Sequence, residues 1–204
     1  MKSWTAALSL TTLSLAMLVP AFGQNGQREA ERMVPARASL THAIDSKAAQ
    51  PGYQFRATLD NNVHLNSGVE LRHGDALVGT VVADDTNMPG KSHLAVRFTQ
   101  AVLKNGQTVP IKATIVSLTP PSDQVSDDYT APDQVPNSWN DGTLRVDQIG
   151  AVKDVDLHSS IASPNSGVFV STKKDDVKIP AGSELALAIA ATNNSPANPA
   201  NSGS

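Results

Sequence analysis

Five histidines, a scatter of serines and 19 acidic residues are what this chain offers for chemistry, since it contains no cysteine. Thiolate nucleophiles, disulfides and Cys/His zinc clusters are therefore excluded. The serines stand in no nucleophile elbow: Gly-x-Ser-x-Gly does not occur. His42, His64, His73 and His93 fall on short β-type segments or their corners, without the spacing that puts two imidazoles on one helix face. They read as exposed strand histidines. Asp84-Asp85 with Asn87, and Asp123 with Asp127-Asp128, offer oxygens to a cation, but neither follows the spacing of a calcium loop. No catalytic residue, metal ligand or cofactor site is assigned. The glycines are isolated corners rather than a phosphate cradle, and a net charge of −3 with no basic cluster speaks against a nucleic-acid partner.

The elements that would position any site are strands. Residues 63–82 organise them: Val63-His64-Leu65, a break at Ser67-Gly68, Val69-Glu70-Leu71, a turn at His73-Gly74-Asp75, then Ala76 to Val82. The pattern returns, with Val69 to Leu77 matching Val177 to Leu185. In both, an apolar pair meets a glycine turn and a second apolar strand. Gly74 and Gly182 are expected as corners, as is Gly79, because glycine lets a strand kink sharply.

Around this core the chain reads as one domain. Lys2, an apolar run from Ala6 to Val19 and small residues through Gly23 form the pattern of a cleavable signal peptide over residues 1–23. Export follows, to the periplasm or outside of a Gram-negative cell, with no transmembrane segment left after cleavage. Residues 24–36 read as a flexible leader, 37–192 as the domain and 193–204 as a disordered tail. Tyr53, Phe55, Ala57 and Leu59 alternate onto one face. His93–Leu103 and Thr108–Leu118 form a hairpin through Asn105-Gly106, where a type I′ turn sets paired residues summing to 211, so that Val102 faces Val109. Gly106 is the turn residue. Ala151–Ser160 reads as one strand. Turn signals about every ten residues indicate an all-β class, a small barrel or sandwich with glycine corners.

Residues 119–150 differ in kind, with six aspartates and one basic residue, Arg145, around Tyr129 and Trp139. They read as one long polar insertion. The two aromatics are the candidate partner-binding residues, because such side chains anchor interfaces.

From Ala38 to Ile115 the order of features resembles the TrbI-like family, specifically the C-terminal β-barrel domain of the scaffold protein of type IV secretion and conjugation systems. The residues that carry it are Leu40 with Ile44-Asp45-Ser46, Pro51-Gly52, Ala57, Val63, Leu71 with Gly74-Asp75, Leu77-Val78-Gly79, Val96 with Phe98, and Leu103 to Gly106 with Val109-Pro110-Ile111. The resemblance implies a barrel that assembles at the cell envelope. The expected function is non-catalytic, by binding an envelope protein or by self-association. The alternatives are a soluble module for a glycan or small ligand, and an unrecognised hydrolase.

Overall fold

Among the described residues, the alternation of apolar residues folds into thirteen strands. A computed structural model describes residues 33–83, 92–121, 144–173 and 176–192. The strands are β1 (Val34–Leu40), β2 (Ile44–Asp45), β3 (Gln54–Leu59), β4 (Val63–His64), β5 (Glu70–Leu71), β6 (Ala76–Val82), β7 (His93–Val102), β8 (Thr108–Thr119), β9 (Arg145–Val152), β10 (Val155–Ser160), β11 (Gly167–Ser171), β12 (Lys178–Ile179) and β13 (Glu184–Ala191). Six of them, in the order β6-β3-β1-β13-β8-β7, close on themselves through the β6–β7 pairing into an antiparallel barrel. β11, β10 and β9 extend the sheet from β7. Two short ribbons, β2–β12 and β4–β5, sit at the corners.

The repeated unit is built twice with matching hydrogen bonds. At one corner Gly74, at φ +86°, donates its N–H to Leu59 O while Leu59 N–H reaches Asp75 O. At the other, Gly182, at φ +76°, donates to Leu40 O while Leu40 N–H reaches Ser183 O. Both glycines occupy the left-handed region that a side chain disfavours. Leu40 to Leu59 and Ile44 to Val63 are each 19 positions apart, and Leu71 to Ile179 and Leu77 to Leu185 are each 108 apart. The same shifts carry the β1–β13 register onto β3–β6, with Ala38 against Leu185 and Ala57 against Leu77. The two halves meet where β1 pairs β3, and Ser39 opposite Thr58 marks a local pseudo-two-fold axis. The two repeat units share one barrel without touching side by side, since β3 and β1 lie between β6 and β13.

The substitutions between halves compensate one another. Asp75 is buried, and its carboxylate accepts Arg72 N–H at 2.7 Å and Lys104 N–H at 3.0 Å. The position matching Arg72 is Pro180, which has no N–H to give. There the buried Ser183 hydroxyl donates to Pro180 O instead. Inside the wall, Phe55 pairs with Gly79 where the other half pairs Ala36 with Leu187. The Phe55 ring covers Gly79, so that a Cβ there would fall 2.3 Å from it, and meets Phe98 edge-on at 5.2 Å. Gly79 therefore lies inside β6 rather than at a corner, and it is small because an aromatic from the neighbouring strand fills its place.

The central hairpin differs from the expected register. Paired residues sum to 210, so Val102 faces Thr108, Ala101 faces Val109 and Pro110 faces Gln100. The loop is Lys104-Asn105-Gly106, and only Gly106, at φ +84°, is left-handed. Asn105 does not take the positive φ that a type I′ turn requires, so this is a type I turn followed by a glycine bulge. The additional loop residue lets Lys104 N–H reach Asp75, tying the hairpin to the corner. Beyond Gln100 and Pro110 the strands part: Ser166 N–H bonds Val96 O, and Ile115 N–H bonds Ser166 O. Val96 therefore does not face Ile115, nor Phe98 Ala113.

Two bulges then reset which residues point inward. Val78 pairs Gln100 and Gly79 pairs Phe98, which leaves Thr99 extra and moves the inward set from Leu94, Val96 and Phe98 to Ala101. Ile115 pairs Leu187 and Ser117 pairs Ala186, which leaves Val116 extra. Ile115 and Leu118 thus both face the main core, while Val116 joins a second cluster on the outer wall with Met33, Leu144, Ile161, Ala188 and Ala190. Bulges of this kind increase local twist and help a sheet to close.

Three boundaries also differ. β1 begins at Val34, inside the expected leader. Arg145 to Gly150, inside the expected insertion, belong to β9. Residues 151–160 are not one strand but the end of β9 and all of β10, joined at Lys153-Asp154, where Asp154 takes φ +60°. Tyr53 lies outside the inward row and is 44% exposed, because β3 starts after it. The expected signal peptide, the tail at 193–204 and both Tyr129 and Trp139 lie outside the described residues.

The large-for-small exchange predicts a rescue. Phe55→Ala should cost about 3–5 kcal/mol through the cavity it leaves. Gly79→Ala should cost about 1–3 kcal/mol through overpacking. The pair Phe55→Ala with Gly79→Leu, which copies Ala36 and Leu187, should be more stable than Phe55→Ala alone. Urea unfolding ranks the four proteins, and the difference between Phe55→Ala and the double variant measures the rescue.

Candidate functional site

Among the described residues the barrel core leaves little room for a ligand. The core residues Leu40, Phe55, Phe98, Ile115, Phe169 and Leu185 leave a void of about 10 Å³ between them, enough for one water at most. The core is built of Val, Ile and Leu with three phenylalanines, Phe55, Phe98 and Phe169, which all line this void. Any chemistry or recognition by the described residues is therefore on the outer surface.

Among the described residues, the outer face of β9 and β10 holds a tight titratable cluster. The turn at Lys153-Asp154 folds β10 back on β9 and sets Asp147 directly opposite His158. His158 Nδ1 and Asp147 Oδ1 are 2.7 Å apart, and Arg145 Nε lies 3.4 Å from Asp147 Oδ2. The hydrogen bond from His158, helped by the Arg145 charge, holds the Asp147 carboxyl below the usual carboxylate range, and partial burial opposes this. On the same hairpin the Asp156 carboxylate accepts Gly150 N–H at 2.9 Å. A carboxylate that orients an imidazole is two-thirds of a nucleophile relay. The remaining third is missing among the described residues: His158 makes no hydrogen bond to a hydroxyl, and the pair stands on an open strand face rather than in a cleft. As built, the cluster clamps one strand to the next.

The other histidines are dispersed. His42 is exposed after β1, and His73 sits in the Gly74 corner with its N–H on Asn62 Oδ1 at 2.8 Å. His64 faces Glu70 across β4–β5 at 3.6 Å, and Glu70 also meets Arg72 at 3.2 Å. His93 opens β7. Among the described residues no three His, Asp or Glu side chains converge as metal ligands. Gly74, Gly106 and Gly182 take left-handed turns, and Gly79 makes the close approach to Phe55.

Sequence reasoning missed the Asp147–His158 clamp, because Asp147 was read as part of a polar loop and His158 as part of one long strand. The available signal was Val152-Lys153-Asp154-Val155, two turn-forming residues between alternating runs. The 22 residues that carry Tyr129 and Trp139 leave the described wall at Pro121, whose Cγ is 3.7 Å from where a Cβ on Gly182 would stand. They return at Leu144, which is buried on the outer face of β13.

Asp147→Asn tests the clamp. Both clamp residues are about half exposed, so the loss should be about 0.2–1 kcal/mol at neutral pH. Since folding lowers the Asp147 pKa, its contribution is present above the ordinary carboxylate pKa and is lost as pH falls through the lowered value. Wild-type and variant stabilities should therefore differ at pH 7 and converge in acid, below the lowered Asp147 pKa, as read from urea unfolding at each pH. No known protein family matches this chain, and no curated protein is significantly similar to it in sequence.

Proposed function

We propose that this protein is an exported, non-catalytic β-barrel domain that works by contact with another component of the cell envelope, a protein partner or a second copy of itself. The observation that carries the reading is the filled barrel: with room for one water inside, the interior is structural and the working surface is outside. Three features of the sequence support the rest. The N-terminal run ending near Gly23 has the form of a cleavable export signal. The strand-and-corner order from Ala38 to Ile115 resembles an assembling envelope scaffold. The acidic segment between β8 and β9 concentrates Tyr129 and Trp139, residue types that anchor protein contacts.

Two measurements test this. Material recovered from the periplasm or medium should begin at Gln24 by N-terminal sequencing; exported material that begins at Met1 would remove the basis for a cleaved signal. Deleting Ser122 to Thr143 should leave a folded barrel that no longer co-purifies with its envelope partner or self-associates. Retention of the same partners after the deletion places the contact elsewhere. If the intact protein is monomeric and its Trp139 fluorescence responds to sugars, the contact is with a glycan and the envelope-protein reading fails.

A further inference from the structure

We infer that the β9–β10 hairpin is a strap that opens from β8 as a unit, along a seam closed by side chains, with Gln148 as its latch. The barrel wall is sewn by backbone ladders, from β6 through β3, β1, β13 and β8 to β7. The extension differs. β7 pairs with β8 only from Gln100 to Val102, and past that point β11, β10 and β9 curl round until β9 faces β8 again without a ladder between them. On that side, the β8 backbone finds its partners elsewhere. Gln148, which is buried, accepts Leu118 N–H at 2.9 Å through Oε1 and donates Nε2 to Leu118 O at 2.8 Å. Its carboxamide copies a peptide unit of the missing strand. The Ser159 hydroxyl, also buried, donates to Ile115 O. Ser166 O accepts Ile115 N–H, and its hydroxyl accepts Phe98 N–H.

The hairpin is coherent within itself. Five register pairs, the Asp147–His158 clamp and the Gly150–Asp156 bond join β9 to β10. Its hold on the wall has no ladder: it consists of the two Gln148 bonds, the Ser159 bond, the contact of Leu144 and Val146 with the small side chains Ala186, Ala188 and Ala190, and the packing of Ala151, Val152, Val155 and Leu157 into the main core. Regions held by few bonds open below the global unfolding free energy, as cooperative units. The seam is where opening breaks the fewest bonds, and the β10–β11 ladder is the hinge that remains. Leu144 moves with the strap, so its motion carries one end of the segment between β8 and β9. This inference stands on the fold and does not require the proposed partner.

Amide hydrogen exchange on the full chain tests it. In wild type, the Leu118 amide, which loses its Gln148 partner when the seam opens, should exchange by an opening event that precedes exchange in β1, β3 and β13, while the β9–β10 amides stay protected by their own ladder. Gln148→Met keeps the length of the side chain and removes both bonds, so the Leu118 amide should exchange roughly tenfold faster or more, with β1, β3 and β13 unchanged. Equal acceleration of every amide, or no acceleration at Leu118, overturns the inference. Should the variant fail to fold, the wild-type exchange decides alone: if Leu118 exchanges only together with β13, there is no strap.

Discussion

Closure of the wall depends on β13, which has both of its edges taken. It pairs with β1 from Glu184 to Ile189 and with β8 from Glu184 to Ala191. A barrel leaves no strand edge to template aggregation, but only once its last strand is seated. That strand comes from the C-terminal part of the chain and closes against the first, so these contacts span nearly the whole sequence. Glycine makes the entry possible: Gly182 turns the chain into β13 and bonds Leu40, just as Gly74 turns it into β6 and bonds Leu59. The pseudo-two-fold relation therefore comes from a shared physical solution, a left-handed corner whose N–H caps the end of the neighbouring strand.

The same constraint fills the interior. Matching the halves while filling one interior requires unequal side chains at equivalent places, and Phe55 over Gly79 against Ala36 beside Leu187 is the clearest instance. The result is a core with no chamber. Polar groups are used where the wall cannot be closed by backbone: Asp75 ties corner to hairpin, and Gln148, Ser159 and Ser166 serve the free edge of β8. Buried polar side chains of this kind are satisfied, as a low-dielectric interior demands. Their presence needs no reaction to explain it, which is why the proposed role is contact.

Much of this was legible in the residues, for identifiable reasons. The all-β class and the repeated unit follow from period-two alternation and from glycines at Gly74 and Gly182, which are local signals. The hairpin at Asn105-Gly106 was visible, but its register was not, because the choice of turn depends on Asp75 reaching across to Lys104 from a distant position. The bulges at Thr99 and Val116 leave no local mark, and each inverts the inside–outside parity that alternation predicts. β9 was hidden because its inward residue Gln148 is polar and its outward residues Arg145 and Asp147 resemble the acidic stretch before them. The Asp147–His158 clamp was illegible for the same reason, since it exists only once β9 and β10 are two strands.

β12 and β13 complete an otherwise open wall, and dividing the chain tests their role. A chain ending at Ser171 should lack cooperative unfolding and show poor amide protection. Adding a peptide that spans Asp176 to Thr192 should restore both, measured by circular dichroism melts and hydrogen exchange on the mixture. A truncated chain that is folded, monomeric and cooperative without the peptide would contradict the account.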